Sequence, residues 1–265
     1  MKHLPLIPLD KTIIEDLLTF KKINLEVFET LASTNDYFKS LPISDKIRVC
    51  LTEQQTKGRG RFNREWHSPF GQNIYLSLSY TFAKDLSELA GLSLVTSLAI
   101  AKTLDSLCQH ADPMLIKWPN DIIYQGEKLA GSLIEVQAET NGFCHVIIGI
   151  GINVNMINDS QTISQAWTSL RKIDQQYHDR NLVVATLINN LLPYLAEFAT
   201  HGLASFIPEW QTRDALLNTK IGVQCGKEKI IGTALGINAQ GHLLLQPEHT
   251  KETMIFSSGD TSILK

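Results

Sequence analysis

The sequence predicts an α+β fold, on three observations. Two runs alternate as strands with one greasy face. Residues 73–80 set Ile74, Leu76, Leu78 and Tyr80 against Asn73, Tyr75, Ser77 and Ser79. Residues 144–154 set Val146, Ile148, Ile150, Ile152 and Val154 against His145, Ile147, Gly149, Gly151 and Asn153. Gln125-Gly126 and Asn141-Gly142 mark hairpin turns, Asn-Gly being the strongest short signal of that kind. Residues 86–109 and 181–199 carry Leu and Ala at helical spacing, apart from the strands. Antiparallel pairing with segregated helices is the α+β arrangement.

Along the chain, Asp10 caps a short helix over 10–21 in which Ile13, Ile14, Leu17 and Leu18 share a face. Strand texture begins at Asn24, and Ser33, Thr34 or Asn35 then caps a helix reaching about Leu41. A strand over 46–53 alternates Ile47, Val49 and Leu51 with Lys46, Arg48, Cys50 and Thr52, and a Gly/Arg loop over 54–66 follows it. The aliphatic strand faces are expected to pack on the two long helices, leaving the opposite face to floor a ligand cleft. From about Leu216 short strands are punctuated by Gly222, Gly226, Gly232, Gly236, Gly241 and Gly259, the texture of a small β-barrel. The expected division is therefore 1–215, with 1–23 as a helical extension, and 216–265.

A chain of 265 residues has room for one large domain, or a large and a small one. With 24 Lys+Arg against 27 Asp+Glu the net charge is −3, which argues against nonspecific nucleic-acid binding. The longest nearly apolar stretch, Leu89–Ala101, has 13 residues, short of the roughly 20 a membrane span needs. The N-terminus MKHLPLIPLDK lacks the pattern of a secretion signal, so a cytoplasmic location is expected. Cys50, Cys108, Cys144 and Cys225 are far apart, as reduced structural thiols are. The eight histidines include no pair at helical i, i+4 spacing and there is no CxxC, so no preassembled transition-metal site is visible.

One local charge excess stands out. Lys57, Arg59, Arg61 and Arg64 fall within eight acid-free residues of the run Gln54-Gln55-Thr56-Lys57-Gly58-Arg59-Gly60-Arg61-Phe62-Asn63-Arg64-Glu65-Trp66. Glycines let backbone N–H groups approach an anion, and arginines give forked phosphate donors at roughly 1.5–3 kcal/mol per charge-assisted bond. A nucleotide phosphate is the natural partner, with Trp66 stacking on its base; a solvated basic turn or an RNA-binding loop is the alternative, and P-loop spacing is absent. A second constellation is Lys117-Trp118-Pro119-Asn120-Asp121, followed by Lys128-Leu129-Ala130-Gly131. With a two-residue loop at Gln125-Gly126, Tyr124 faces Glu127, Ile123 faces Lys128 and Asp121 faces Ala130. Asp121 and Lys128 are then diagonal neighbours about 7–8 Å apart by Cα. The pair reads as ligands for Mg2+ and a developing anion, or as a surface ion pair. Gly149 and Gly151 clear one strand face for something lying flat on it, a ligand or a packing neighbour. Ser33-Thr34-Asn35 reads first as a helix cap.

In their order and wording these motifs closely resemble the catalytic region of biotin protein ligases: Ser-Thr-Asn, Gly-Arg-Gly-Arg with a Trp five residues on, Lys-Trp-Pro-Asn-Asp, Lys-Leu-Ala-Gly and Gly-Ile-Asn, over about Asn24–Asn155. The resemblance implies a domain like that of class II aminoacyl-tRNA synthetases, with a mixed or antiparallel sheet and helices, followed by an SH3-like barrel. It implies two steps. Biotin and Mg-ATP give biotinyl-5′-AMP and pyrophosphate; a lysine of a biotin carboxyl carrier protein, of acetyl-CoA carboxylase or a related carboxylase, then attacks the mixed anhydride. By the same resemblance Ser33, Thr34, Asn35 and Gln55 hold the biotin ureido ring, with Gly58, Arg59, Gly60, Arg61, Gly149 and Gly151 along the ligand. Arg61 and Arg64 meet the phosphates and Trp66 the adenine, Arg59 and Asn120 joining the nucleotide set. Lys128 stands between the biotin carboxylate and the α-phosphate, and completes a catalytic set with Arg61, Asp121 and Lys117. Mg2+ is expected near Asp121 or Asn153, the latter also a ribose contact. Lys265 aligns loosely with a basic residue near the nucleotide. No nucleic acid or membrane is implied as a partner, and a homodimer is left open.

The sequence departs from the family's pattern at Asn63, where many members have Gly, and at Glu65, a place often basic. About 23 residues precede the first strand, against some sixty in an N-terminal winged helix-turn-helix, which argues against a biotin-operon repressor role. A lipoate protein ligase of the same fold and a non-catalytic biotin- or nucleotide-sensing protein are the rival readings.

Overall fold

Alternation decides which way each strand faces, and the computed structural model, which describes residues 6–109, 111–158, 163–226 and 228–264, follows it closely. The first sheet comprises β1 (Asn24–Leu31), β2 (Arg48–Gln55), β3 (Ile74–Phe82), β4 (Leu115–Lys117), β5 (Asp121–Tyr124), β6 (Glu127–Thr140) and β7 (Phe143–Ile152). Its order is β1-β2-β3-β7-β6-β5-β4, parallel between β1 and β2 and antiparallel elsewhere. Among the described residues six α-helices accompany the sheets: α1 (Lys11–Leu17), α2 (Thr34–Lys39), α3 (Leu92–Leu107), α4 (Leu170–Asp174), α5 (Arg180–His201) and α6 (Ile207–Arg213). Asp10 caps α1 and Ser33 caps α2 as the sequence predicts, each side chain accepting backbone N–H groups of the first turn.

Ile148, Ile150 and Ile152 of β7 share one buried core with Leu94, Val95 and Leu98 of α3 and Val184, Leu187 and Leu191 of α5. The chain over 180–213 is long and apolar enough to cross a membrane by composition, yet half of its most apolar window is buried in the molecule. On the opposite sheet face α2 seals a smaller cluster of Phe38, Cys50 and Ile147. Cys50, Cys108 and Cys144 are buried free thiols. The rest of that face is open and carries the cleft described below.

Both expected hairpins form, and positive φ at Gln125 and Gly126 (49° and 84°) and at Asn141 and Gly142 (51° and 78°) gives two-residue turns matching the strand twist. The register of the first is corrected beyond its second pair. Tyr124 faces Glu127 and Ile123 faces Lys128, but Ile122 then faces Ala130 and Asp121 faces Gly131, not Ala130. The cause is a third segment: Lys128 N–H donates to Ala166 O and Lys128 O accepts from Thr168 N, and just past the Ile123–Lys128 pair the ladder skips Leu129 in a bulge.

The expected C-terminal SH3-like barrel is also corrected. The segment forms an open, antiparallel five-stranded sheet of β8 (Lys220–Cys225), β9 (Glu228–Ile237), β10 (Leu243–Pro247), β11 (Met254–Phe256) and β12 (Asp260–Ile263), in the order β11-β10-β9-β8-β12. Among the described residues no pairing joins β11 to β12, so no barrel closes. The physical reason lies in the commitments of β12. Thr261 donates its hydroxyl to Trp118 O at 3.0 Å and accepts Lys117 Nζ on its carbonyl at 3.1 Å, while β11 has three residues with which to reach across. Trp118 Nε1 also donates to Gly241 O, so the second sheet clamps the Lys-Trp-Pro-Asn-Asp segment. Lys265 lies outside the described residues.

Candidate active site

The cleft, about 520 Å3 in volume, is floored by β3, β6 and β7 and walled by α2, the Gly/Arg loop and the 163–167 segment. At its inner end, the start of α2 builds a connected polar group. Gln55 Oε1 accepts the Thr34 N–H at 2.9 Å and the Thr34 hydroxyl at 3.2 Å. Ser77 Oγ lies 2.7 Å from Thr34 Oγ1 and 2.5 Å from Asn35 Oδ1, and Asn35 Nδ2 donates to Glu135 Oε2 at 2.7 Å. Lys39 and Asn35 hydrogen-bond Glu135; although burial opposes its charge, these bonds hold its carboxyl below the ordinary glutamate range.

The two glycines of β7 leave room for this chain's own side chains. A methyl at Gly149 would collide with the Asn35 amide, and one at Gly151 with the Trp66 indole. Trp66 therefore lies flat over Gly151, its buried Nε1–H without a partner, and Lys128 Nζ stands 5.2 Å from its ring centroid.

The Gly/Arg loop folds on itself. Arg59 bridges Glu65, Gly60 N–H donates to Arg64 O, and a 3-10 turn spans Arg61–Asn63. Asn63 has φ 55°, a left-handed conformation that Gly or Asn takes most readily, which explains why Asn serves there. Arg59 pairs with Asp36 of α2, and Arg64 pairs with Asp260 of β12 at 2.5 Å. Arg61 Nη1 reaches Asn120 Oδ1 at 3.5 Å. Burial lowers the Arg61 pKa against the opposing charges of Asp121 and Asp260, whereas the Asp260 hydrogen bond raises that of Arg64.

On the facing hairpin, Lys128 Nζ lies 2.7 Å from Asp121 Oδ1, and Lys117 Nζ lies 3.7 Å from Asp121 Oδ2. The bulge turns Lys128 to the same side as Gly131, whose missing side chain leaves space for the lysine stem. Asn120 Nδ2 donates to Ser132 O, and Asn153 Nδ2 to Thr168 O.

Of the residues assigned a catalytic, biotin-binding or nucleotide-binding role from the sequence, all but Gly58 and Lys117 line the cleft. Gly58 is buried where a methyl would meet Ser68 Oγ, Gln55 Nε2 and Trp66 O, so it shapes the loop from behind. Lys117 is spent on Asp121 and Thr261. Sequence reasoning missed Asp260, Phe62, Leu133, Met156 and Trp167. Trp167 left one signal, an unassigned aromatic just before the Ser169 cap of α4; Asp260 left none, lying 196 residues from Arg64.

The Biotin/lipoate A/B protein ligase family pattern matches residues 27–153. The chain is 35% identical over 232 residues to the bifunctional ligase/repressor BirA of Escherichia coli, covering 85% of this chain and 70% of that one. It is 31% identical over 199 residues to a biotin–acetyl-CoA-carboxylase ligase of Paracoccus denitrificans, covering 74% and 82%. Its structure is similar to that of the biotin protein ligase from Aquifex aeolicus in complex with biotin and ATP, with a TM-score of 0.77 at 27% identity over 91% of this chain and 99% of that one. Sequence and fold agree: the chain belongs to the biotin protein ligase family.

Proposed function

We propose that the cleft is where the chain joins biotin to ATP and then to a carrier lysine, its residues dividing the work by charge. The activity is ATP-dependent biotin protein ligation. A biotin carboxylate oxygen bonds to the α-phosphorus of ATP as pyrophosphate leaves with the bridging oxygen. The amine of a carrier lysine then bonds to the biotin carbonyl carbon as AMP leaves, and the amine gives up a proton.

The observation that carries the residue assignment is the Lys128–Asp121 pair set between a neutral polar pocket and a rim of arginines. Thr34, Asn35 and Gln55, with Ser33 beside them, offer the donors and acceptors that a ureido ring needs. Lys128, oriented by Asp121, faces the point where a carboxylate and a phosphate would otherwise repel one another, and a fixed cation there acts most strongly as phosphorane charge develops. Arg61 and Arg64 take the phosphates, Arg64 exchanging Asp260 for them, and Trp66 takes the adenine face. Lys117 acts through Asp121 and is a positioning residue.

The groups expected to hold Mg2+ do not offer it a preformed site. Both Asp121 oxygens are turned to lysines, whereas Asn153 donates its amide N–H to backbone carbonyls and would offer Mg2+ a single side-chain oxygen. The carrier is the biotin carboxyl carrier protein of acetyl-CoA carboxylase or a related carboxylase, in the cytoplasm.

The test is Lys128→Ala. Biotin-dependent pyrophosphate exchange is expected to fall by about 10²-fold or more, with an unfolding midpoint close to that of the parent. Exchange near the parent rate would falsify the assigned role.

A further inference from the structure

We propose a second ligand site, outside the cleft, in which Cys108, Asp174 and His178 bind one divalent transition-metal ion of the Zn2+ class. The three side chains come from three places: the C-cap of α3, the last residue of α4, and the turn leading into α5. One Cys sulfur, one carboxylate oxygen and one ring nitrogen all lie within 4.8 Å of one another. None of the three lines the cleft.

Chemistry and geometry both favour a cation. Thiolate, imidazole and carboxylate together form a donor set suited to Zn2+, and three protein ligands leave a fourth position for water. Cys108 closes the C-terminal end of a 16-residue helix, where unpaired carbonyls present negative partial charge. Its sulfur lies 3.9 Å from the carbonyls of Gln109 and Leu170, and its thiol also hydrogen-bonds the Asp174 carboxylate. Burial and the Asp174 carboxylate push the Cys108 thiol up, so an ion binding here must displace its proton.

The ligands are also held from behind. Asp174 accepts N–H groups of Gln109 at 3.3 Å and Gln176 at 2.9 Å. His178 is fixed by a reciprocal pair with Asn155, donating its N–H to Oδ1 and accepting Nδ2 on its carbonyl, both at 2.9 Å. Asp174 Oδ1 and His178 Nε2 stand 3.1 Å apart, close to the roughly 3.3 Å separating two ligands on a tetrahedral zinc. Closing the site needs the sulfur to move in by about 1 Å, a rotamer adjustment at the end of a helix. The ion would tie α3, α4 and the α5 approach together. The sequence hid this site because its one local signal is Asp-x-x-x-His, and the cysteine lies 66 residues before the aspartate.

Metal-free protein is titrated with Zn2+ against a chromophoric chelator, and separately with Co2+. One equivalent per chain is expected, with a thiolate-to-cobalt charge-transfer band. The band should vanish in Cys108→Ser, and Zn2+ affinity should fall at least about tenfold in His178→Gln and Asp174→Asn. Biotin-dependent pyrophosphate exchange in these variants reports that they fold, and His178→Gln decides the matter if Cys108→Ser does not. No stoichiometric binding would show a hydrogen-bonded cluster without an ion and overturn the proposal. So would an affinity unchanged in the variants, which is the mark of an adventitious ion elsewhere.

Discussion

Trp66 shows how single residues set the cleft's shape. Its indole rests on Gly151 because that strand position has no side chain, and Lys128 approaches the ring from the cleft. Gly151→Ala places a methyl inside the indole's volume, and the obstruction is a rigid ring, so the ring must leave. Overpacking of this kind costs about 1–3 kcal/mol. The displaced Trp66 should raise the KM for ATP more than that for biotin and shift the tryptophan emission. Equal rises in both constants would mean that Trp66 does not serve the nucleotide. Asn35 over Gly149 is the counterpart on the biotin side, where the hydrogen bonds to Ser77 and Glu135 hold it.

At the scale of elements, the parts that periodicity reports were legible and the parts that tertiary contacts impose were not. The β7 faces, the caps of α1 and α2 and both hairpin turns follow from local rules, since each depends on residues within a few positions of one another. The β6 bulge at Leu129 does not, because the segment that bonds both backbone groups of Lys128 beside it, Ala166 and Thr168, comes from about forty residues away. Nor does the strap formed by the N-terminal segment. Arg180, the first residue of α5 and 1% exposed, donates to Glu53 Oε2 at 2.6 Å and Ile7 O at 2.7 Å, while Glu53 Oε1 accepts Leu9 N–H at 2.6 Å. Glu53→Gln strands the arginine charge in the interior, which costs about 3–5 kcal/mol. Urea unfolding measures it, and a loss below about 1 kcal/mol would show that the pair contributes nothing beyond its neutral hydrogen bonds.

For the molecule as a whole, β12 is the seam. It meets Trp118 and Lys117 through Thr261 and the arginine loop through Asp260, so one short strand fastens the second sheet to both motifs of the cleft. That contact gives a pH dependence whose sign follows from Asp260. Burial opposes its charge, but the Arg64 hydrogen bond and the charges of Arg64, Lys117 and Arg61 outweigh burial and hold the pKa below the ordinary aspartate range. A carboxyl whose folded pKa is depressed binds protons more readily when unfolded, so its stabilisation is complete above the unfolded value, about 3.9. It is lost as the pH falls through the lower folded value. Arg64 is largely exposed, so solvent and salt screen the pair, and its contribution is best read as a difference at low ionic strength. Asp260→Asn should therefore be less stable than the parent by a constant margin from neutrality down to about pH 5, and the margin should shrink below about pH 4. Paired urea titrations across that range measure it. A margin that stays constant into acid would mean that the Asp260 charge is not what fastens the loop to β12.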